Sequence, residues 1–224
     1  PPPFTLADDG EQLEEVTPPV PEVPPGLVPP RRRGRCYVDQ ALIPAATYPL
    51  GADGRSRLAA WPLEPGRVTL PAFCIDRYEY PNKKGEQPIT QTTWARSKEF
   101  CAAVGKRLCT ELEWAAACRG TEGRTWAYGN ERREGACHSD EDAWGDHGPW
   151  TIKPSGSFED CKTPEGVYDL TGNASEWVDS LYTGPDYADL TGVDYPDHLD
   201  RPLLRGGTPW ESSYGQSCLA RHWH

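Results

Sequence analysis

The stretch Asp169-Leu170-Thr171-Gly172-Asn173-Ala174-Ser175-Glu176 sets an acidic residue at each end of a short segment rich in small and turn-forming residues. A tight turn of this kind can aim two carboxylates and several backbone carbonyls at one point. Such an all-oxygen donor set suits a hard divalent cation, and calcium takes roughly six to eight oxygens. The alternative for the same residues is a turn in which Asp169 caps backbone amides and Glu176 meets an arginine. Asn173-Ala174-Ser175 also spells a glycosylation sequon, but inside a tight loop it makes a poor acceptor.

The second chemical resource is sulfur. Eight cysteines stand at 36, 74, 101, 109, 118, 137, 161 and 218, and none forms the paired C-x2-C cluster of a zinc site. An even number, widely spread and without ligand histidines nearby, predicts disulfides and an extracytoplasmic setting: periplasm, cell surface or secreted medium. Reduced thiols are the alternative. The five histidines, at 138, 147, 198, 222 and 224, build no metal-binding motif.

The elements that must position these groups are legible in part. Residues 68–80 alternate well enough for a strand, closed by Pro81-Asn82. Thr93 can cap a helix that sets Trp94, Ser97, Cys101 and Val104 on one face, with Gly105 as its left-handed stop. Thr110-Glu111-Leu112-Glu113 has the form of a capping box that launches a second helix through Trp114 to Cys118. Beyond Gly120 the pattern dissolves into Gly, Pro, Asp and Trp, a composition that stays compact only when disulfides or a metal hold it.

Residues 1–35 read differently. The first thirty carry ten prolines and six acidic side chains with no Lys or Arg, too little apolar surface to order itself, so the segment is expected to be a semi-rigid disordered tether. Arg31, Arg32, Arg33 and Arg35 then make a basic hinge, or alternatively a protease site or an anionic docking patch. Residues 36–224 form the expected globular domain. The chain opens on Pro1 without Met, which fits a trimmed product whose targeting segment or anchor is removed or absent. The net charge of −11 argues against nucleic acid as partner, and no apolar run approaches the ~20 residues a membrane helix needs. A protein or cell-envelope ligand is the expected partner. Among nine tryptophans, Trp94, Trp114 and Trp177 are expected in the core, while Trp144, Trp150, Trp210 and Trp223 lie in loops that could present an aromatic recognition surface.

Five blocks, in order, resemble the formylglycine-generating enzyme family, also called sulfatase-modifying factors. They are Ile75-Asp76-Arg77-Tyr78-Glu79, Gly105-Lys106-Arg107-Leu108-Cys109-Thr110-Glu111-Leu112-Glu113-Trp114, Tyr128-Gly129-Asn130, Gly166 through Trp177, and Arg205-Gly206-Gly207-Thr208. The resemblance implies a C-type-lectin-like α+β fold with two helices, small twisted sheets and much irregular chain. It implies a calcium site at Asp169 and Glu176 through their side chains and at Gly172 and Ala174 through their carbonyls. A second calcium site of the family loses its first ligand where Cys137 stands. The resemblance also implies a Cys118 to Cys218 disulfide, and Cys137 with Cys161 would staple the loop-rich middle. Cys101 matches a bridging position whose usual partner lies in a terminal segment not found here, so the domain's end is expected to be truncated.

The resemblance fails at one place. The family's oxidases bind copper through two cysteines that follow the R-G-G-S turn, and soft Cu(I) requires close sulfur ligands. Here residues 208–217 hold no cysteine, and the two ligand positions fall on or near Glu211 and Gln216. The expected function is therefore an inactive binding or structural module with no catalytic residues. An active oxidase with a variant metal site, or the sensor ectodomain of a membrane-anchored protein, are the alternatives.

Overall fold

A computed structural model describes residues 32–51, 66–138, 151–181, 201–208 and 216–223. The short strands come first: β1 (Arg32–Arg33), β2 (Cys36–Tyr37), β3 (Gln40–Ile43), β4 (Ala46–Leu50), β5 (Gly66–Leu70) and β6 (Phe73–Asp76). Two helices follow, α1 (Trp94–Ala103) and α2 (Glu111–Arg119), then β7 (Glu176–Leu181), β8 (Pro202–Arg205) and β9 (His222–Trp223). All described pairings are antiparallel: β1 with β2, β3 with β6, β4 with β5, and β7-β8-β9 as a three-stranded sheet.

The expected strand over 68–80 is divided. Pro71 lacks the amide a ladder needs, so β5 ends at Leu70 and β6 opens at Phe73 with a different partner. Residues 77–80 leave the sheet for a turn, closed by the Asn82 amide donating to the Glu79 carbonyl at 2.7 Å. Arg32 and Arg33, expected as hinge, pair with Tyr37 and Cys36 across a small hairpin. The proline-rich segment before them lies outside the described residues.

Period-two burial explains β3 and β6. Ala41 and Ile43 face Ile75 and Phe73 on the buried side, while Leu42 and Cys74 share the outer one. The outward Cys74 is bonded to Cys36, which clips β2 to β6, a pairing not expected from the sequence. Cys118 is bonded to Cys218, and Cys137 to Cys161.

α2 is the central element. Its capping box forms as the sequence requires: the Glu113 amide donates to Thr110 Oγ1 at 3.3 Å and the Thr110 amide to Glu113 Oε2 at 2.9 Å. Residues Trp114 through Cys118 are buried, and three consecutive alanines let β4 and β7 pack close against the helix. The core around it comprises Tyr48, Ile43, Phe73, Val167, Leu170, Val178 and Leu203. Trp114 is fully buried, whereas Trp94 and Trp177 are half-buried and fasten α1 to β7 by reciprocal bonds: Trp94 Nε1 to the Val178 carbonyl at 2.9 Å, and Trp177 Nε1 to the Thr92 carbonyl at 3.0 Å.

Candidate functional site

The loop between Asp169 and Glu176 is held from beneath by the Cys137–Cys161 bridge. The Asp169 amide donates to the Cys161 carbonyl at 3.0 Å, and Thr171 packs against the bridge sulfurs. Cys137, at the position where the resemblance implied a second calcium site, is thus committed to a covalent bond. The chain then turns through left-handed conformations at Asp169, Gly172 and Asn173, with φ of 58°, 95° and 61°. Glycine is required at 172, where a Cβ would collide with the His138 carbonyl.

Three successive loop amides are each taken by a different acceptor. Gly172 N–H goes to the Gly206 carbonyl at 2.8 Å, Asn173 N–H to the His138 carbonyl at 3.2 Å, and Ala174 N–H to Glu79 Oε1 at 3.0 Å. The Leu170 and Ala174 carbonyls approach Gly206, 3.4 and 3.7 Å from where a Cβ would stand there. Glu176 opens β7 opposite Arg205 of β8, and its Oε2 accepts from Trp114 Nε1 at 2.7 Å. Asp169 is 2% exposed, and its Oδ2 accepts from the Gly156 amide at 2.6 Å. One half of the alternative turn reading therefore describes Asp169, but Glu176 meets an indole and not an arginine.

Glu79 completes the cluster, and the sequence reading missed it. The residue sits in the turn after β6, 7% exposed, and accepts from Ser155 Oγ at 2.8 Å and from Asn173 Nδ2 at 3.0 and 2.8 Å. Its place in the Ile75 to Glu79 block was visible, but a strand extended to residue 80 hid the fact that its carboxylate turns inward.

Burial pushes all three acids up. Glu176 rises to about 7, against the Trp114 hydrogen bond and helped by the Asp169 charge. Asp169 rises to about 6 through burial, opposed by the Gly156 amide. Glu79 lies well above the carboxylate range through burial and then the charges of Asp169 and Glu176. Every donor to these acids is neutral, and no Lys, Arg or His among the described residues pairs with any of them. Two buried acids and a half-buried third without a cationic partner, beside the loop carbonyls, fit a hard cation. No three His, Cys, Asp or Glu side chains among the described residues converge to hold an ion by themselves, so such a cation would draw on the loop carbonyls as well.

A cavity of about 180 Å³ adjoins this cluster, with Glu79 and Glu176 in its wall beside Tyr80, Phe100, Cys101 and Cys109. Cys101 and Cys109 are the free thiols; burial pushes Cys101 up to about 11 and Cys109 further. On the far side of Trp114, the Arg205 guanidinium lies 4.9 Å over the ring and binds Glu111 Oε1 at 2.9 Å and the Cys218 carbonyl at 2.6 Å. Gln216, near one of the positions matching a copper ligand, is 2% exposed and donates from Nε2 to the Thr208 carbonyl at 2.7 Å. Glu211, Trp144, Trp150 and Trp210 lie outside the described residues, as does the side chain of Trp223.

Residues 76–224 match the family model described as the sulfatase-modifying factor enzyme 1-like domain. The chain belongs to this family. Its α+β architecture, with little regular secondary structure and three disulfides, is that of the formylglycine-generating-enzyme type. Over 129 residues it is 33% identical to the bovine (Bos taurus) "Inactive C-alpha-formylglycine-generating enzyme 2", covering 53% of this chain and 42% of that protein. Over 106 residues it is 30% identical to the bovine "Formylglycine-generating enzyme", covering 44% of this chain and 28% of that protein. The chain thus spans less than half the length of either relative. PvdO from Pseudomonas aeruginosa superposes with a TM-score of 0.61 at 20% identity, over 82% of this chain and 87% of that one, which shows a shared fold. Three disulfides in a sulfatase-modifying-factor domain indicate an oxidising, extracytoplasmic compartment.

Proposed function

We propose that this sulfatase-modifying-factor domain is a binding or structural module of the periplasm, cell surface or secreted medium that does not oxidise cysteine to formylglycine. The supporting observation is the fate of its eight cysteines. Six are bridged in pairs, and the remaining two, Cys101 on α1 and Cys109 before α2, face the cavity and not the Arg205-Gly206-Gly207-Thr208 turn. The segment 208–217 contributes no sulfur. Copper(I) needs two close thiolates, and no cysteine stands in the segment that follows that turn.

Calcium is proposed as the structural ion, held by the Asp169 and Glu176 carboxylates and the Gly172 and Ala174 carbonyls. When bound it supplies positive charge to a buried acidic cluster. The protein's own groups orient the loop: the Cys137–Cys161 bridge beneath, Gly206 against its carbonyls, and Trp114 on Glu176. The partner is proposed to be a protein or cell-envelope ligand.

The decisive experiment offers the purified domain a sulfatase-type cysteine peptide with and without copper, followed by mass spectrometry of the peptide. No formylglycine is expected. Copper-dependent conversion overturns the reading.

A further inference from the structure

Glu79 is separated from the loop it touches by more than ninety residues of sequence, yet both of its oxygens are occupied there. Oε1 accepts from Asn173 Nδ2 and the Ala174 amide, and Oε2 from Asn173 Nδ2 and Ser155 Oγ, at 2.8 to 3.0 Å. Three neutral donor groups thus engage both Glu79 oxygens through four contacts and tie the carboxylate to the loop. Asn173 is fastened in return: its Oδ1 accepts from the Lys153 amide at 2.9 Å and its Nδ2 also donates to the Lys153 carbonyl at 3.1 Å. These bonds hold a residue at φ 61°, a left-handed conformation that Asn adopts more readily than most non-glycine residues.

With the amides of Gly172, Asn173 and Ala174 all turned to acceptors, the loop's ligating carbonyls are held in place from the amide side. We propose that Glu79 is the positioning residue of the Asp169–Glu176 cation site, setting its affinity from outside the ligand shell by fixing the Asn173–Ala174 backbone. The inference rests on the calcium reading above.

The test uses the whole chain and two probes. Calcium affinity is measured by titration calorimetry, and terbium luminescence lifetimes in H2O and D2O count the waters bound to the ion. Glu79→Gln is expected to weaken calcium binding about 10- to 100-fold, as loss of groups behind metal ligands does, with the water count unchanged. Glu176→Gln, which removes a ligand, is expected to raise that count. Ser155→Ala takes away one of Glu79's holds and is expected to weaken binding several-fold, which carries the test should Glu79→Gln not fold. Parent-like affinity in Glu79→Gln, or in Ser155→Ala when it stands alone, overturns the inference while calcium binding by the parent keeps the site itself. An added water in Glu79→Gln makes Glu79 a ligand and overturns it too. A parent that binds neither ion overturns the calcium reading, and this inference with it.

Discussion

Trp114 donates its indole N–H to Glu176 Oε2 across 2.7 Å, and the Glu176 carboxylate accepts no other hydrogen bond among the described residues. A fully buried helix residue thereby fixes one carboxylate oxygen and leaves the second without a donor.

Calcium is expected to raise the melting temperature of the metal-free domain. At a calcium concentration a hundred times Kd the gain is about 2.7 kcal/mol, which for a domain of this size is roughly 5–10 °C. Magnesium, with its rigid octahedral shell, should substitute poorly. Glu176→Gln keeps an acceptor for Trp114 while removing one charge, so it should fold and lose most of the rise. Scanning calorimetry with calcium, magnesium and chelator checks this, and an unchanged calcium response in Glu176→Gln counts against the site.

The metal-free protein should lose stability as pH rises. Glu176 and Asp169 have folded values of about 7 and about 6, and Glu79 is raised as well. A carboxyl raised on folding favours the folded state in its protonated form, so its contribution is complete below its unfolded pKa and disappears as pH passes the folded value. In chelator, the melting temperature is expected to fall between pH 5 and pH 8, and calcium is expected to restore it most at the upper end. A flat or rising profile in chelator contradicts this.

What could be seen in the sequence divides along physical lines. The capping box at Thr110 and Glu113 is a local device whose partners lie three residues apart, so it is readable from spacing. The Asp169 to Glu176 loop brings its two acids within one short segment. Glu79 has no such signature, because its burial depends on Ser155 and Asn173 arriving from elsewhere in the chain. Cys36 and Cys74 became legible as a pair only when β6 separated from β5 and took β3 as its neighbour. A separate local hairpin, Arg32 and Arg33 against Tyr37 and Cys36, turned part of the basic run into strand.

Glu111 should be among the costliest single losses in the domain. It accepts from Arg205 at 2.9 Å and from Arg221 at 2.6 and 3.1 Å, all three residues being buried. Removing one partner of a buried ionic group leaves uncompensated charge, so Glu111→Ala is expected to cost about 3–5 kcal/mol. Thr110→Ala, which removes only the cap, should cost about 1 kcal/mol. Urea unfolding of both variants gives the comparison, and similar losses would count against the buried-charge account.

Two thiols, and no more, should be available for alkylation after denaturation without reductant. Cys101 and Cys109 are those two, and burial raises both above the ordinary thiol range, so labelling of the native protein at pH 8 is expected to be slow. Intact mass with and without denaturant measures both. More than two labels, or rapid native labelling, contradicts the assignment.

The Cys118–Cys218 bridge spans a sequence separation of 100 and encloses the loop-rich half of the domain. Any single peptide-bond cleavage between these two residues leaves the fragments covalently joined. A protease that nicks this half would therefore yield a species of unchanged mobility on a non-reducing gel, with the damage appearing only after reduction, and Glu79 would stay attached to Asn173 and Ala174 through the same molecule.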